Sequence, residues 1–401
     1  MGATRLFEGL ADQIAGKFGE RITALRREIH REPELGFETE RTARKVLSAL
    51  EGLPLEVESG VAKNGVVATL EGNGEGPVVV LRADMDALPI REETGLPFAS
   101  EFEGKMHACG HDAHTAMLFG AALALCEDGL RRHLEGSVRF VFQPAEEGGG
   151  GGRVMVEEGV LEGVSAAFAL HLWPGLPLGS AATRPGPIMA AADAFELLVE
   201  GKGAHGAMPH LGTDAVLVAS QIVTLLQSLV AREVDPTEPA VVTVGQLEAG
   251  TAFNIIPETA RLKGTVRTLD EELRRVMPQR IEELARGVAR GMRGDVRLDY
   301  EFSYPVTRND PEAARLALDV AGKVLGGGRA VEAARPAMGA EDFAFMLEAV
   351  PGAYIWLGVG DVSGLHTPTF SFDESVMPVG SALLAALALE ALSQRGLPGS
   401  G

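Results

Sequence analysis

The stretch VRFVFQPAEEGGGGG (138–152) sets the reading of the chain. A near-continuous apolar run stops at Pro144, two adjacent carboxylates follow, and five glycines then lead into a helical segment. A short apolar run bounded by turn formers reads as a strand buried on both faces, as in a parallel sheet covered by helices. VVVLRADMDALP (78–89) repeats the pattern and delivers Asp84 and Asp86 at its end. AAFALHL (166–172) ends on His171, and AYIWLGVG (353–360) leads into a loop that carries His366. Helical texture lies between: HTAMLFGAALALCEDG (114–129) is an Ala/Leu helix, and residues 4–51 read as two helices broken by REPELG at 31–36. Strands interleaved with helices predict an α/β fold with a mostly parallel sheet flanked by helices.

Between about 188 and 303 the texture changes. AFELLVEG (194–201), PAVVTVGQLEAG (239–250), ARLKGTVRT (260–268) and VRLDYEF (296–302) are strands of partly alternating pattern. They flank helical stretches at 213–232 and 270–292. The order β–α–β–β–α–β predicts an inserted α+β domain of split-βαβ, ferredoxin-like form. We therefore expect residues 1–187 and 304–401 to form one domain and 188–303 a second.

Composition narrows the function. The 36 Lys and Arg against 56 Asp and Glu leave a formal charge of −20, which argues against a nucleic-acid partner. Two cysteines cannot build a disulfide framework. The opening MGATRLFEGLADQIAG has no apolar core of signal-peptide length, Leu6 stands where a myristoylation motif wants Ser or Thr, and no spanning segment is expected further on. The expectation is a cytoplasmic protein with no membrane partner.

Four strand ends bring Asp84, Asp86, Glu146, Glu147, His171 and His366 to one sheet edge, where ligands gather in open α/β sheets. MHACGHDAHTA (106–116) adds Cys109 and His111 on the turn into a helix. Each residue has a bland reading: a strand-end His is more often core, Asp84 and Asp86 could cap a loop, and the glycines could be a linker. All of these must hold together for the edge to be inert. Thiol, imidazole and carboxylate combined suit a borderline transition metal rather than Mg²⁺ or Ca²⁺. Neighbouring residues in extended chain point opposite ways, so one of Glu146 and Glu147 could bind metal and the other act as general base. No GxSxG, GxxxxGK[ST], HExxH or CxxC motif is present. Metal-assisted hydrolysis is the reaction class these residues favour. Cys126 reads as core, His133 as surface, His30 and His210 as structural, and His107 and His114 as helix-start packing or support for the ligands.

RADMDALP, HACGHDAHTAML, FQPAEEGGGG, LHLWP, GKGAHGAMPH, FNIIPETARLKGTVR, GAEDFAFM and LHTPTFSFDE together resemble the di-metal aminoacylase and carboxypeptidase G-type amidohydrolases. The likeness is to the branch of hippurate hydrolases, N-acyl-amino-acid amidohydrolases and auxin-conjugate hydrolases, and it runs from residue 30 to 374. It implies a catalytic α/β domain with an inserted lid that also dimerises. The implied ligands of two divalent ions per subunit (Zn²⁺, Mn²⁺, Co²⁺ or Ni²⁺) are Cys109, His111, Glu147, His171 and His366. Glu146 would be the general base, Asp86 would orient the site, and His205 would stabilise the oxyanion, often across a dimer interface. Asn254 and Arg267 would hold the substrate carboxylate. Where the wider family offers a histidine ligand, this chain has Asp84. The implied activity is hydrolysis of N-acetyl- or N-benzoyl-type amino acids. A carboxypeptidase or dipeptidase, or an inactive binding homologue, is the alternative.

Overall fold

The computed structural model describes residues 6–74 and 76–393. Met1–Arg5, where the myristoylation reading begins, lies outside the described residues. The chain divides into two compact units. One runs to Ile188 and resumes with Arg308–Arg335 and from Asp342 onward; the other comprises Met189–Thr307 and Pro336–Glu341. The return of 336–341 to the second unit has no counterpart in the sequence reading.

In chain order the first unit begins with helices α1 (Leu10–Arg31) and α2 (Glu40–Leu50). Strands β1 (Glu56–Val61), β2 (Gly65–Leu70) and β3 (Val78–Asp84) follow. Then come α3 (His111–Cys126), β4 (Ser137–Gln143), α4 (Gly151–Glu157), β5 (Val164–Trp173) and β6 (Ala181–Thr183). The second unit supplies β7 (Ala191–Glu200), α5 (Ala215–Ser228), β8 (Ala240–Ala249), β9 (Thr259–Thr268), α6 (Glu271–Gly291) and β10 (Asp295–Tyr304). The chain closes with α7 (Pro311–Leu325), β11 (Ala330–Glu332), β12 (Gly352–Gly358) and α8 (Met377–Ser393).

The large sheet has the order β1-β2-β4-β3-β5-β12-β6-β11. Its centre, β4-β3-β5-β12, is parallel throughout, and antiparallel pairs lie toward both edges. The central strands are apolar because helices cover them. Helix α3 is buried on nearly every side, as expected of a helix that is apolar all round. It packs closely on its neighbours through glycine: a Cβ at Gly120 would fall 2.2 Å from Ser381 Oγ of α8 and 2.6 Å from Ile22 Cδ1 of α1. Edge strand β1 escaped the sequence reading because its EVESGV residues are almost all exposed and lack an apolar signature.

Two helices, Ala215–Glu233 and Glu374–Ser393, have the length and apolar composition to cross a membrane, by those two criteria alone. The second is 78% buried within the protein, so its composition is accounted for as a core helix.

The second unit is a four-stranded antiparallel sheet of order β8-β9-β7-β10. Strand β7 alternates buried and less buried residues. Phe195, Leu197 and Val199 meet Val218 and Ile222 of α5 and Met277 and Ile281 of α6 in a separate core. This is the split-βαβ topology that the strand and helix order predicts.

Candidate metal centre

Parallel β3, β4, β5 and β12 end on one rim of the sheet, and the candidate ligands sit on or just beyond those ends. Cys109 lies on the turn before α3. Gly110 adopts φ +88° there, a conformation that favours glycine, and His111 is the first residue of the helix. Cys109 Sγ lies 3.3 Å from His171 Nε2. The other ring nitrogen of His171, Nδ1, is 2.7 Å from the Leu172 carbonyl oxygen. A carbonyl only accepts, so Nδ1 carries the proton and Nε2 presents its lone pair toward the thiol.

His366 Nε2 stands 3.1 Å from Glu147 Oε1. His111 Nε2 is 4.0 Å from both Glu146 Oε2 and Glu147 Oε1 and 3.7 Å from Asp84 Oδ2; its Nδ1 is 3.5 Å from Asp86 Oδ1. Neither buried nitrogen of His111 makes a hydrogen bond among the described residues. Three overlapping groups, Cys109/His111/His171, Cys109/Glu147/His366 and His111/Glu146/Glu147, each keep one donor atom per residue within 4.8 Å of the others.

Asp86 reaches this rim through the backbone. Its carboxylate accepts hydrogen bonds from Glu146 N at 2.9 Å and Glu147 N at 3.0 Å. The residue before them, Ala145, has φ +58°, a strained conformation for a non-glycine residue that persists only where the surroundings over-determine it. His366 also has positive φ, and its N–H donates to the Ala108 carbonyl at 2.8 Å.

Asp84 is engaged elsewhere. One oxygen takes the His114 Nδ1 proton at 2.7 Å, the other the Arg82 Nη1 proton at 2.8 Å. His114 Nε2 accepts from Leu172 N at 3.0 Å, which fixes its tautomer. Burial alone would raise the Asp84 carboxyl, but His111, His114 and Arg82 hold it well below the carboxylate range.

The rim carries an excess of negative charge. Burial works against a charged His111, yet Asp84, Asp86 and Glu147 push its pKa up to about 10. Burial raises the Cys109 thiol, and Glu147, Glu146 and Asp84 raise it further. Burial drives His171 well below its ordinary value. Crowded carboxylates, an imidazole without hydrogen bonds among the described residues and a lone pair aimed at a thiol fit a bound divalent cation. Such a cation would balance the charge and use these donors.

Sequence reasoning missed the buried charges behind the rim. Arg82, 2% exposed, sits inside an apolar strand, and a buried arginine demands partners. Arg26 Nε and His30 Nδ1 each lie 2.7 Å from Asp112 Oδ2, and His30 Nε2 lies 3.2 Å from Glu92 Oε1. Beside them His107 is fully buried with no hydrogen-bond partner among the described residues.

In the second unit, His205 lies on a two-residue strand paired antiparallel with Ile255–Ile256, and Gly206 N donates to the Asn254 carbonyl at 2.8 Å. That ladder holds exposed His205 and exposed Asn254 close together. Arg267 is half-buried on β9, where its guanidinium donates to Thr265 Oγ1 and the Val266 carbonyl.

Donors of three chemical kinds gathered at the parallel-strand ends of an α/β sheet, with a second carboxylate beside them, define the class of a metal-dependent hydrolase. The profile of Peptidase family M20/M25/M40 matches residues 80–390, and the chain belongs to that family. It is 40% identical over 373 residues to the N-acetylcysteine deacetylase of Bacillus subtilis, covering 93% of this chain and 97% of that one. It is 41% identical over 387 residues to the IAA-amino acid hydrolase ILR1-like 2 of Arabidopsis thaliana, covering 94% and 87%. The solved structure of the Bacillus subtilis YXEP protein, a dinuclear metal binding peptidase from the M20 family, matches with a TM-score of 0.83 and 38% identity, covering 93% of this chain and 98% of that one. The protein is a metal-dependent hydrolase of C–N bonds.

Proposed function

We propose that the protein hydrolyses the amide bond of N-acyl amino acids of acetyl or benzoyl type, releasing a carboxylate and a free amino acid. The observation that carries this is the division between adjacent glutamates. Glu147 pairs with His366 at 3.1 Å, while Asp86 accepts from the backbone N–H groups of both glutamates and so holds the two adjacent carboxylates at the rim.

Cys109, His111, Glu147, His171 and His366 would hold two divalent cations per subunit, from among Zn²⁺, Mn²⁺, Co²⁺ and Ni²⁺. When bound, such cations supply Lewis acidity that eases deprotonation of water and polarises the amide carbonyl. Glu146 takes the proton of the attacking water and returns it to the nitrogen of the departing amino acid. Asp86 fixes the approach of both glutamates. His205 donates to the developing oxyanion, from its own chain or from a partner subunit, and also contacts the substrate. Asn254 and Arg267 hold the substrate carboxylate, for which a guanidinium is well shaped. The resemblance in GKGAHGAMPH and FNIIPETARLKGTVR supports these last three roles. It also supports residues 188–303 as a lid that pairs subunits into a homodimer. The acidic charge and the two cysteines support a cytoplasmic setting with no nucleic-acid or membrane partner.

The test is a panel of N-acetyl- and N-benzoyl-amino acids and dipeptides, run on chelator-treated protein resupplied with Mn²⁺, Co²⁺, Ni²⁺ or Zn²⁺. Metal-dependent turnover of the acyl amino acids is expected. Turnover of dipeptides alone would replace the reading with a dipeptidase, and no turnover at all would leave a binding homologue.

A further inference from the structure

The GAEDFAFM motif (339–346) has no role in the chemistry above, yet Asp342 is completely buried at a structural junction. Its Oδ1 accepts from Arg82 Nη2 at 2.7 Å and Gln143 Nε2 at 2.8 Å. Its Oδ2 accepts from Gln143 Nε2 at 2.8 Å and from Gly152 N at 2.7 Å. Gln143 is the last residue of β4, immediately before the loop that carries the glutamates, and Gly152 lies at the loop's far end in the first turn of α4. One carboxylate therefore clasps both ends of that loop.

The glycines make the clasp possible. A Cβ at Gly151 would fall 1.8 Å from the Pro144 carbonyl oxygen, so the loop's two ends cross in contact. A Cβ at Gly152 would fall 2.8 Å from the Asp342 carbonyl oxygen and 3.1 Å from its Cγ. These two glycines are thus sites of close approach, not a flexible linker.

We propose that Asp342 is a positioning residue for the glutamate loop, clasping its ends through Gln143, Gly152 and Arg82 while Asp86 holds its middle. Arg82 extends the clasp: it bonds Asp84, Asp84 bonds His114, and His114 takes the amide next to His171. The ends of β3, β4 and β5 are so joined through buried side chains. Ala145, at φ +58° between the two anchors, is the point where such over-determination is needed. The proposal rests on the reading that Glu146 and Glu147 perform the chemistry, for which a misplacement of about 1 Å costs on the order of 100-fold in rate.

The experiment compares full-length wild type with Asp342→Asn, Gly152→Ala and the double variant, without metal and with Mn²⁺. Amide hydrogen exchange is followed by mass spectrometry, and kcat and KM are measured on an N-acyl amino acid. Exchange across 144–152 should quicken at least about tenfold in each single variant, while peptides from β3 and β5 keep their rates. kcat should fall by about 10- to 100-fold with KM within about threefold. The double variant should be no worse than the poorer single, because both changes open one clasp. Unchanged loop exchange in Gly152→Ala, or exchange raised equally throughout the chain, overturns the proposal. Gly152→Ala keeps both buried charges, so it decides the matter should Asp342→Asn fail to fold. A wild type inert toward every substrate would defeat the functional reading, while the exchange data would still judge the clasp.

Discussion

Replacing His107 with leucine should flatten part of the acid limb of the protein's stability curve. The imidazole is 1% exposed and without a hydrogen-bond partner among the described residues. Burial, opposed by Asp112 and assisted by His30, His111 and Arg26, pushes its pKa down to about 3. In the unfolded chain it protonates near pH 6.5. Between these values the unfolded state binds one proton more than the folded state, so stability present above pH 6.5 drains away as pH falls. The slope is about 1.4 kcal/mol per pH unit, which amounts to about 2 kcal/mol between pH 6.5 and 5. Asp112, held below the carboxylate range after Arg26 and His30 outweigh its burial, adds to the loss only below about pH 4. The assay is urea unfolding of wild type and His107→Leu at intervals from pH 7 to 5. Other histidines contribute to both proteins, so the difference between the two curves isolates His107. That difference should shift by about 2 kcal/mol in favour of the variant as pH falls. Parallel curves would show that the folded protein protonates His107 normally, and the reasoning from burial would be wrong.

Glu146→Gln should retain metal, measured by elemental analysis, while losing at least about 100-fold in kcat; near-normal activity would move the base elsewhere. His205→Ala should lower kcat without changing the unfolding midpoint, and mixing it with Glu146→Gln should restore some activity if the histidine serves a partner's site. A mixed dimer, shown to form and yet inactive, would place the site within one subunit. Asp86→Asn sets an amide donor against the backbone N–H of Glu146 or Glu147. The loss of a charge-assisted bond should destabilise the protein by roughly 2–4 kcal/mol in denaturant titration. Removal of metal by chelation should lower the thermal midpoint and abolish turnover, both recovered on adding Mn²⁺ or Zn²⁺.

The central sheet was legible because β3, β4, β5 and β12 are apolar on both faces and stop at turn residues, a signal that exists within each segment. Glu56–Val61 gave no such signal, since an exposed edge strand is specified by its partner's register with β2. The gathering of the candidate donors was legible by position: Asp, Glu and His recurring just past apolar runs pointed to one rim before any contact was known. The supporting groups were not. Arg82 lies among valines and a leucine, and its partner Asp342 is 260 residues away, beyond the reach of any local pattern. Residues 336–341 belong with the second unit through pairings such as Met189 with Ala337, which no local pattern announces. The Asn254 carbonyl bond to Gly206 likewise joins two loops whose association only folding reveals.

The rim draws on residues 84–86, 109–111, 146–147, 171 and 366, so its parts are dispersed over most of the chain. Contacts of such long separation carry a loop-closure entropy cost that must be met before they stabilise the fold. On the proposed ligand set, a chain clipped between these segments is expected to lose the cluster, and with it metal binding and amide hydrolysis. Activity on this reading needs the whole span in place, with strand 352–358 paired beside β5.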